Sequence, residues 1–214
     1  MRIILIGPPG VGKGTQAALL ASRKGVHTLS SGEIFRREIE AQTDLGRLAQ
    51  RYISHGELVP NGVTIEMMAK RLRDAEVRKH GFILDGFPRT VKQADALQEI
   101  LTELEMPLQR VFSLQAPDEL IVKRLSGRMG CTKCGAIYHS VNKPPRREGY
   151  CDVCNSPIVV RSDDQPETIR ERLRVFRENT APVVEYYSDL GMLTAIDATR
   201  DAEEVYKDIV MVAN

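Results

Sequence analysis

An apolar run, Arg2 to Ile6, meets a helix expected from Lys13 to Lys24, and across their junction the chain reads Gly7-Pro8-Pro9-Gly10-Val11-Gly12-Lys13-Gly14-Thr15. This is G-x-x-x-x-G-K with a hydroxyl two places on, set between strand and helix as a phosphate-holding loop must be. Its glycines let backbone N–H groups turn inward on phosphate oxygens, and the helix start adds partial positive charge. Lys13 is placed to reach the β and γ phosphates and Thr15 to lie near Mg²⁺. Gly10, Val11, Gly12, Lys13, Gly14 and Thr15 are therefore nucleotide-binding candidates. Gly14 stands where the general pattern has Ser or Thr directly after Lys, so the hydroxyl's direct role at the metal stays open. Motors, GTPases and kinases share such a loop, which leaves the reaction undecided.

Beyond the loop, short apolar strands alternate with amphipathic helices, the pattern of a parallel sheet covered on both faces. Strands are expected at Arg2 to Ile6, His27 to Leu29, Phe82 to Leu84, Val111 to Leu114 and Leu193 to Ile196, which makes a five-stranded α/β fold. Ser30-Ser31-Gly32-Glu33 has the spacing of a capping box, opening a helix with Ile34, Phe35 and Ile39 on one face. A further helix runs to about His55 and stops at Gly56. Asn61 reads as the cap of a helix ending before Gly81. Helical period resumes after Thr90, Pro117 opens another helix, one long helix starts near Pro166, and Asp201 to Val212 closes the chain. From Gly127 to about Asp164 the helical period is lost and Gly, Pro and Cys crowd together: an inserted module.

Lys and Arg number 30 against 29 Asp and Glu, for a net charge of +1. A nucleic-acid binder shows a basic excess, so any anion here must be met by local clusters of Arg and Lys. The apolar run at the start is too short for a secretory core and no stretch is long enough to span a bilayer, which predicts a cytoplasmic protein without a cleaved leader. All four cysteines of the chain lie between 131 and 154, and in a reducing compartment they need a purpose other than disulfides. Cys131-x₂-Cys134 and Cys151-x₂-Cys154 have the spacing of a tetrahedral metal site, with zinc the first choice and iron or cobalt admitted by the same four thiolates. Gly135 and Asn155 suit knuckles whose N–H groups face the sulfurs. His139 is left over once four cysteines fill the tetrahedron. By spacing alone the module could also be a nucleic-acid-binding zinc ribbon.

Phe82-Ile83-Leu84-Asp85-Gly86-Phe87-Pro88-Arg89-Thr90 is a buried strand ending in a carboxylate at the edge where open α/β sheets bind ligands, and Asp85 there can hold Mg²⁺ through its water shell. GPPGVGKGTQ together with DGFPRT resembles the adenylate kinase family of nucleoside monophosphate kinases, over essentially the whole chain. That family's loop also reads G-K-G-T. The resemblance implies a phosphate-loop fold of three layers, a helical AMP-binding insertion at 30–59 and a lid at 127–164 on a core of 1–29, 60–126 and 165–214. It further implies a monomer that works on ATP, AMP and ADP, with no nucleic-acid or membrane partner.

Carried over position by position, the resemblance gives Ser31, Arg36, Arg89 and Gln93 to AMP, with the backbone of Glu57, Leu58, Val59, Gly86, Phe87 and Pro88. Ser31 stands where many bacterial members have Thr. It gives Arg124, Arg128, Ile137, Tyr138 and Arg200 to the ATP side, and Arg161 and Arg172 to AMP and to the phosphoryl being transferred. Arg124 and Arg128, four apart at the end of one expected helix, can point to the same side. The chemistry suits these types: arginines take phosphate bidentately, and the Gln93 amide offers a donor and an acceptor to the N1 and N6 edge of adenine. ATP and AMP together bring about six negative charges, of which Mg²⁺ neutralises two. Transfer between phosphates needs charge neutralisation and alignment and little proton transfer, so no base is required. Glu33, Asp163, Asp164 and Glu167 are acids near enough in sequence to offset the cations. A UMP, CMP or GMP kinase of the same fold is the chief rival, and a phosphate-loop regulatory protein with a zinc ribbon the more distant one.

Overall fold

A computed structural model describes residues 1–213. Five parallel strands form the main sheet: β1 (Arg2–Ile6), β2 (His27–Ser30), β3 (Phe82–Asp85), β4 (Arg110–Gln115) and, late in the chain, β8 (Leu193–Asp197). Their order is β2-β3-β1-β4-β8, so β1 lies at the centre. Ile4 and Ile6 pack into one apolar cluster and Ile3 and Leu5 into the other, the two-residue alternation of a strand buried on both faces. Helices α1 (Lys13–Lys24) and α10 (Ala202–Ala213) cover the Ile3 face, contributing Leu20, Val205 and Ile209. The Ile4 face is covered by α2 (Ser31–Glu40), α3 (Asp44–Ile53), α4 (Asn61–Leu72), α5 (Ala75–His80) and α6 (Val91–Glu103). No helix is long and apolar enough to cross a membrane among the described residues.

After α7 (Asp118–Ser126) the chain builds a separate small sheet of β5 (Arg128–Cys131), β6 (Ile137–His139) and β7 (Ile158–Val160), antiparallel in the order β6-β5-β7. It returns through a 3₁₀ turn at Ser162–Asp164 into α8 (Pro166–Val175) and α9 (Ala181–Asp189). The register pairs Asp85 with Leu5 on one side and with Ser30 on the other. The phosphate loop, the end of β3 and the start of α2 thus open on one edge of the sheet, beside the point where the strand order reverses.

Five local expectations are not met, two of them because a side chain bonds far along the chain. Ser30 begins α2 but its hydroxyl caps nothing; it faces Asp85 Oδ2 at 3.4 Å, so no capping box forms. Asn61 is the first helical residue of α4, not its cap, and its side chain turns to α6 instead. The helix expected to run on to Gly81 breaks where the Asp74 side chain accepts from Glu76 N and starts α5. Arg128 is not on the helix of Arg124: α7 stops at Ser126 and Arg128 opens β5. The long helix from Pro166 is also interrupted, by a π turn over Phe176–Thr180.

Candidate active site

A cavity of about 670 Å³ lies along the C-terminal edge of the main sheet, with the small sheet as its roof. The phosphate-loop residues Gly10 to Thr15 form its floor, and Arg124, Arg128, Ile137, Tyr138 and Arg200 border it with Asp85 and Pro88. A satellite of about 70 Å³ opens between α2, α4 and α6, bordered by Ser31, Glu57, Leu58, Val59, Gly86 and Gln93. Arg36, Arg89 and Arg172 face both spaces, and Arg161 the larger one. Of the residues expected to hold nucleotide, Phe87 alone touches neither space; it is fully buried in the core.

Lys13 Nζ donates to the carbonyls of Gly7 at 2.7 Å and Pro8 at 3.0 Å, which folds its head back over its own loop. Burial lowers this ammonium to about 8; Asp85 pulls upward, while Arg89, Arg172 and Arg128 push further down. Burial likewise depresses Arg89 and Arg161, each crowded by other guanidinium groups, though an arginine stays charged at neutral pH. Arg89 Nε donates to Gly86 O at 2.8 Å, and Ser31 Oγ donates to the same carbonyl at 2.6 Å. Arg124 Nη1 donates to Val11 O at 3.0 Å, tying α7 to the loop.

Two acids answer the cations. Asp164 accepts from Arg128 and Arg172, and Asp163 pairs with Arg172 at 3.0 Å. Burial opposes ionisation of Asp163, but Arg172, Arg36, Arg128 and Arg161 together hold its carboxyl below the usual range. Of the other expected acids, Glu33 borders the cavity whereas Glu167 is exposed and outside it. Arg36, Arg89 and Arg161 make no salt bridge among the described residues and line the cavity, where they could meet an anion. Arg200 also borders the cavity, with its guanidinium paired to Asp208 and Asp197.

Gly14 has a steric reason. A Cβ there would lie 3.1 Å from Ile137 Cδ1 and 3.7 Å from Asp85 Oδ2, so the roof descends onto the first turn of α1 at the one place where a side chain is missing. Among the described residues the Asp85 carboxylate makes no salt bridge and accepts only the long bond from Ser30, leaving carboxylate oxygens available to a hydrated cation.

The four sulfurs of Cys131, Cys134, Cys151 and Cys154 lie within 4.8 Å of one another. Facing Sγ pairs are 3.4 and 3.5 Å apart, close to the roughly 3.8 Å edge of a tetrahedron with metal–sulfur bonds of about 2.3 Å. Cys134 N and Val153 N each donate to the first sulfur of their pair, and Gly135 and Asn155 close the two turns. The donor set therefore fits a four-thiolate metal. Tyr138 borders the cavity but its hydroxyl is turned inward, accepting from Asp152 N at 2.8 Å beside Cys151 Sγ.

A family profile described as adenylate kinase matches residues 5–192. The chain belongs to the adenylate kinase family. Over 209 residues it is 46% identical to the adenylate kinase of Methanosarcina mazei, covering 98% of this chain and 96% of that protein. With the adenylate kinase of Desulfitobacterium hafniense the identity is 47% over 210 residues, covering the same shares. The reaction is ATP + AMP = 2 ADP, which removes the pyrimidine and guanine enzymes and the regulatory protein from consideration. The two spaces share Arg36, Arg89 and Arg172 in their walls.

Some residues around the adenylate kinase cavity were not singled out from sequence. Thr180, in the π turn, donates to Arg89 O at 3.0 Å and fixes the backbone behind that arginine. Asn142 and Lys143 reach the cavity from the turn after β6. His139, read as a spare loop residue, organises that turn: its Nδ1 accepts from Val141 N and Asn142 N, both at 3.1 Å. Only the G-K-G-T-Q run pointed toward Gln16, which is buried in the cavity wall. Nothing in pattern or spacing marks the others.

Proposed function

We propose that the larger cavity takes MgATP and the satellite AMP, with the phosphates meeting between Lys13 and the arginines. The observation that carries this reading is the convergence of Lys13, Arg36, Arg89, Arg128, Arg161 and Arg172 on one space at the phosphate loop. Arg36 and Arg89 hold the AMP phosphate, the backbone at Glu57 to Val59 and Gly86 to Pro88 walls its nucleoside, and Gln93 contacts the base. Ser31 steadies Gly86. Lys13 follows the β and γ phosphates, while Arg124, Arg128, Arg161 and Arg172 neutralise the charge that builds on the transferring group. Ile137, Tyr138 and Arg200 flank the adenosine of ATP.

Thr15 and Asp85 would hold Mg²⁺, directly or through water. Bound there, the ion would supply positive charge to offset that of the phosphates. Residues 30–59 act as the AMP-binding module and 127–164 as the lid, on a core of 1–29, 60–126 and 165–213. The lid metal is zinc with a structural role, because four thiolates leave no open coordination position. The lid's role is to exclude water, which protects ATP from hydrolysis. The enzyme acts as a cytoplasmic monomer on small molecules alone. A coupled assay of ADP formation across a panel of monophosphates tests the assignment of the satellite: Gln93→Ala should lower selectivity for AMP and leave the KM for ATP unchanged. Equal selectivity in the variant would remove Gln93 from the site.

A further inference from the structure

We infer that Asn61 is a positioning residue that pins the Gln93 amide in one orientation and so sets which nucleobase edge the satellite accepts; this rests on the reading of Gln93 as the base contact. A backbone N–H can donate and cannot reverse its role. The backbone N–H of Arg89 lies 2.8 Å from the Gln93 side chain, so the atom facing it must be Oε1. Nε2 then occupies the other end, 2.9 Å from Asn61 Oδ1. Asn61 is fixed in its turn. Thr90 Oγ1 accepts from Gln93 N at 3.2 Å, which leaves its own proton free to donate to the same Asn61 oxygen at 3.1 Å.

Gln93 keeps one N–H and one lone pair for a ligand. Adenine presents an acceptor at N1 and a donor at N6, whereas hypoxanthine presents the reverse, a donor at N1 and an acceptor at O6. An amide free to turn over would serve both bases equally. A pinned amide serves one, because the other base leaves buried polar groups facing like groups. Asn61 borders neither cavity and therefore acts only through Gln93. As the first residue of α4 it also ties the wall at 57–59 to α6. Sequence reading gave Asn61 the role of a cap, and the bonds to α6 take its place.

The test compares AMP with IMP, which differ only at this base edge. Asn61→Leu should raise the KM for AMP about five- to tenfold, the effect of one or two neutral hydrogen bonds. It should lower the AMP to IMP ratio of kcat/KM by a similar factor, with the KM for ATP unchanged. Asn61→Asp keeps the acceptor at a helix start that favours negative charge, and should restore the ratio. An unchanged ratio in Asn61→Leu, or failure of Asn61→Asp to restore it, overturns the inference. Gln93→Ala separates the two levels. If it collapses the ratio while Asn61→Leu does not, Asn61 alone is wrong; if it too leaves the ratio intact, the base contact itself is misplaced and the inference falls with it.

Discussion

Arg128 donates twice to Asp164, from Nε at 2.7 Å to Oδ2 and from Nη2 at 2.6 Å to Oδ1, and the Asp164 side chain is 0% exposed. A cation from the first lid strand is thus held by a carboxylate at the lid's return to α8, with Arg172 sharing the same oxygen. Asp164→Asn leaves Arg128 without its counter-charge and Arg172 with Asp163 alone, and the loss of one partner of a buried pair costs about 3 kcal/mol or more. Urea unfolding should show the midpoint falling accordingly. A midpoint equal to that of the parent would mean that solvent already carries the two arginines.

Gly14 and Ile137 are matched in size. Gly14→Ser should leave stability within about 0.5 kcal/mol, since the residue is helical and faces the cavity, yet lower kcat about tenfold or more by holding the roof off the first turn of α1. Ile137→Val removes Cδ1, the atom that a new Cβ would meet. Combined with Gly14→Ser it should recover part of the lost turnover, as measured by initial rates at saturating nucleotide. Equal rates in the single and double variants would show that the contact does not limit closure.

The Lys13 ammonium, lowered by burial to about 8 from an ordinary 10.5, makes stability depend on pH. Between those values the unfolded chain binds a proton that the folded chain has released, so stability rises with pH across that window. The same lysine costs stability below about 8, by at most about 3 kcal/mol. In Lys13→Met this slope should vanish between pH 8 and 10.5, as read from denaturant midpoints, while turnover falls by several powers of ten at every pH. A parallel slope in both proteins would assign the titration elsewhere.

Elemental analysis should find about one metal ion per chain. Chelation under reducing conditions should loosen the small sheet, whose strands β6 and β7 have only three residues each, and lower the onset of melting. The main sheet should keep its far-ultraviolet signal, and turnover at low temperature with added Mg²⁺ should persist. Loss of turnover without any change in melting would give the metal a part in the reaction instead.

Local spacing made much of this visible from residues alone. The bounds of α1 and the two cysteine knuckles need partners only a few positions away, and β1, though paired to distant strands, stands out as an unbroken apolar run, so pattern and composition suffice. Ser30 and Asn61 mislead for one shared reason: each has a polar side chain with a local use at a helix start and a distant alternative. Asp85 lies 55 positions from Ser30, and Gln93 lies 32 from Asn61. No periodicity reports such a pairing. Arg128 reached the cavity as expected although the helix assumed to carry it ends earlier, because β5 continues toward the same space. The π turn has no signature in side-chain type at all.

That turn has a consequence for how this chain can vary in length. Ile169 and Leu173 of α8 pack with Ile121 and Leu125, while Val183 and Tyr187 of α9 enter the main core. Ile169 and Val183, like Leu173 and Tyr187, stand about four turns apart, so a continuous α-helix would set each pair on nearly one face; the wider turn at Phe176–Thr180 changes that phase. Deleting a single residue there would turn the wide turn into an ordinary α turn and draw Thr180 away from Arg89. The exposed turns of the lid, by contrast, can lengthen or shorten without rotating anything behind them, so insertions and deletions should accumulate in the lid and be absent from these five positions.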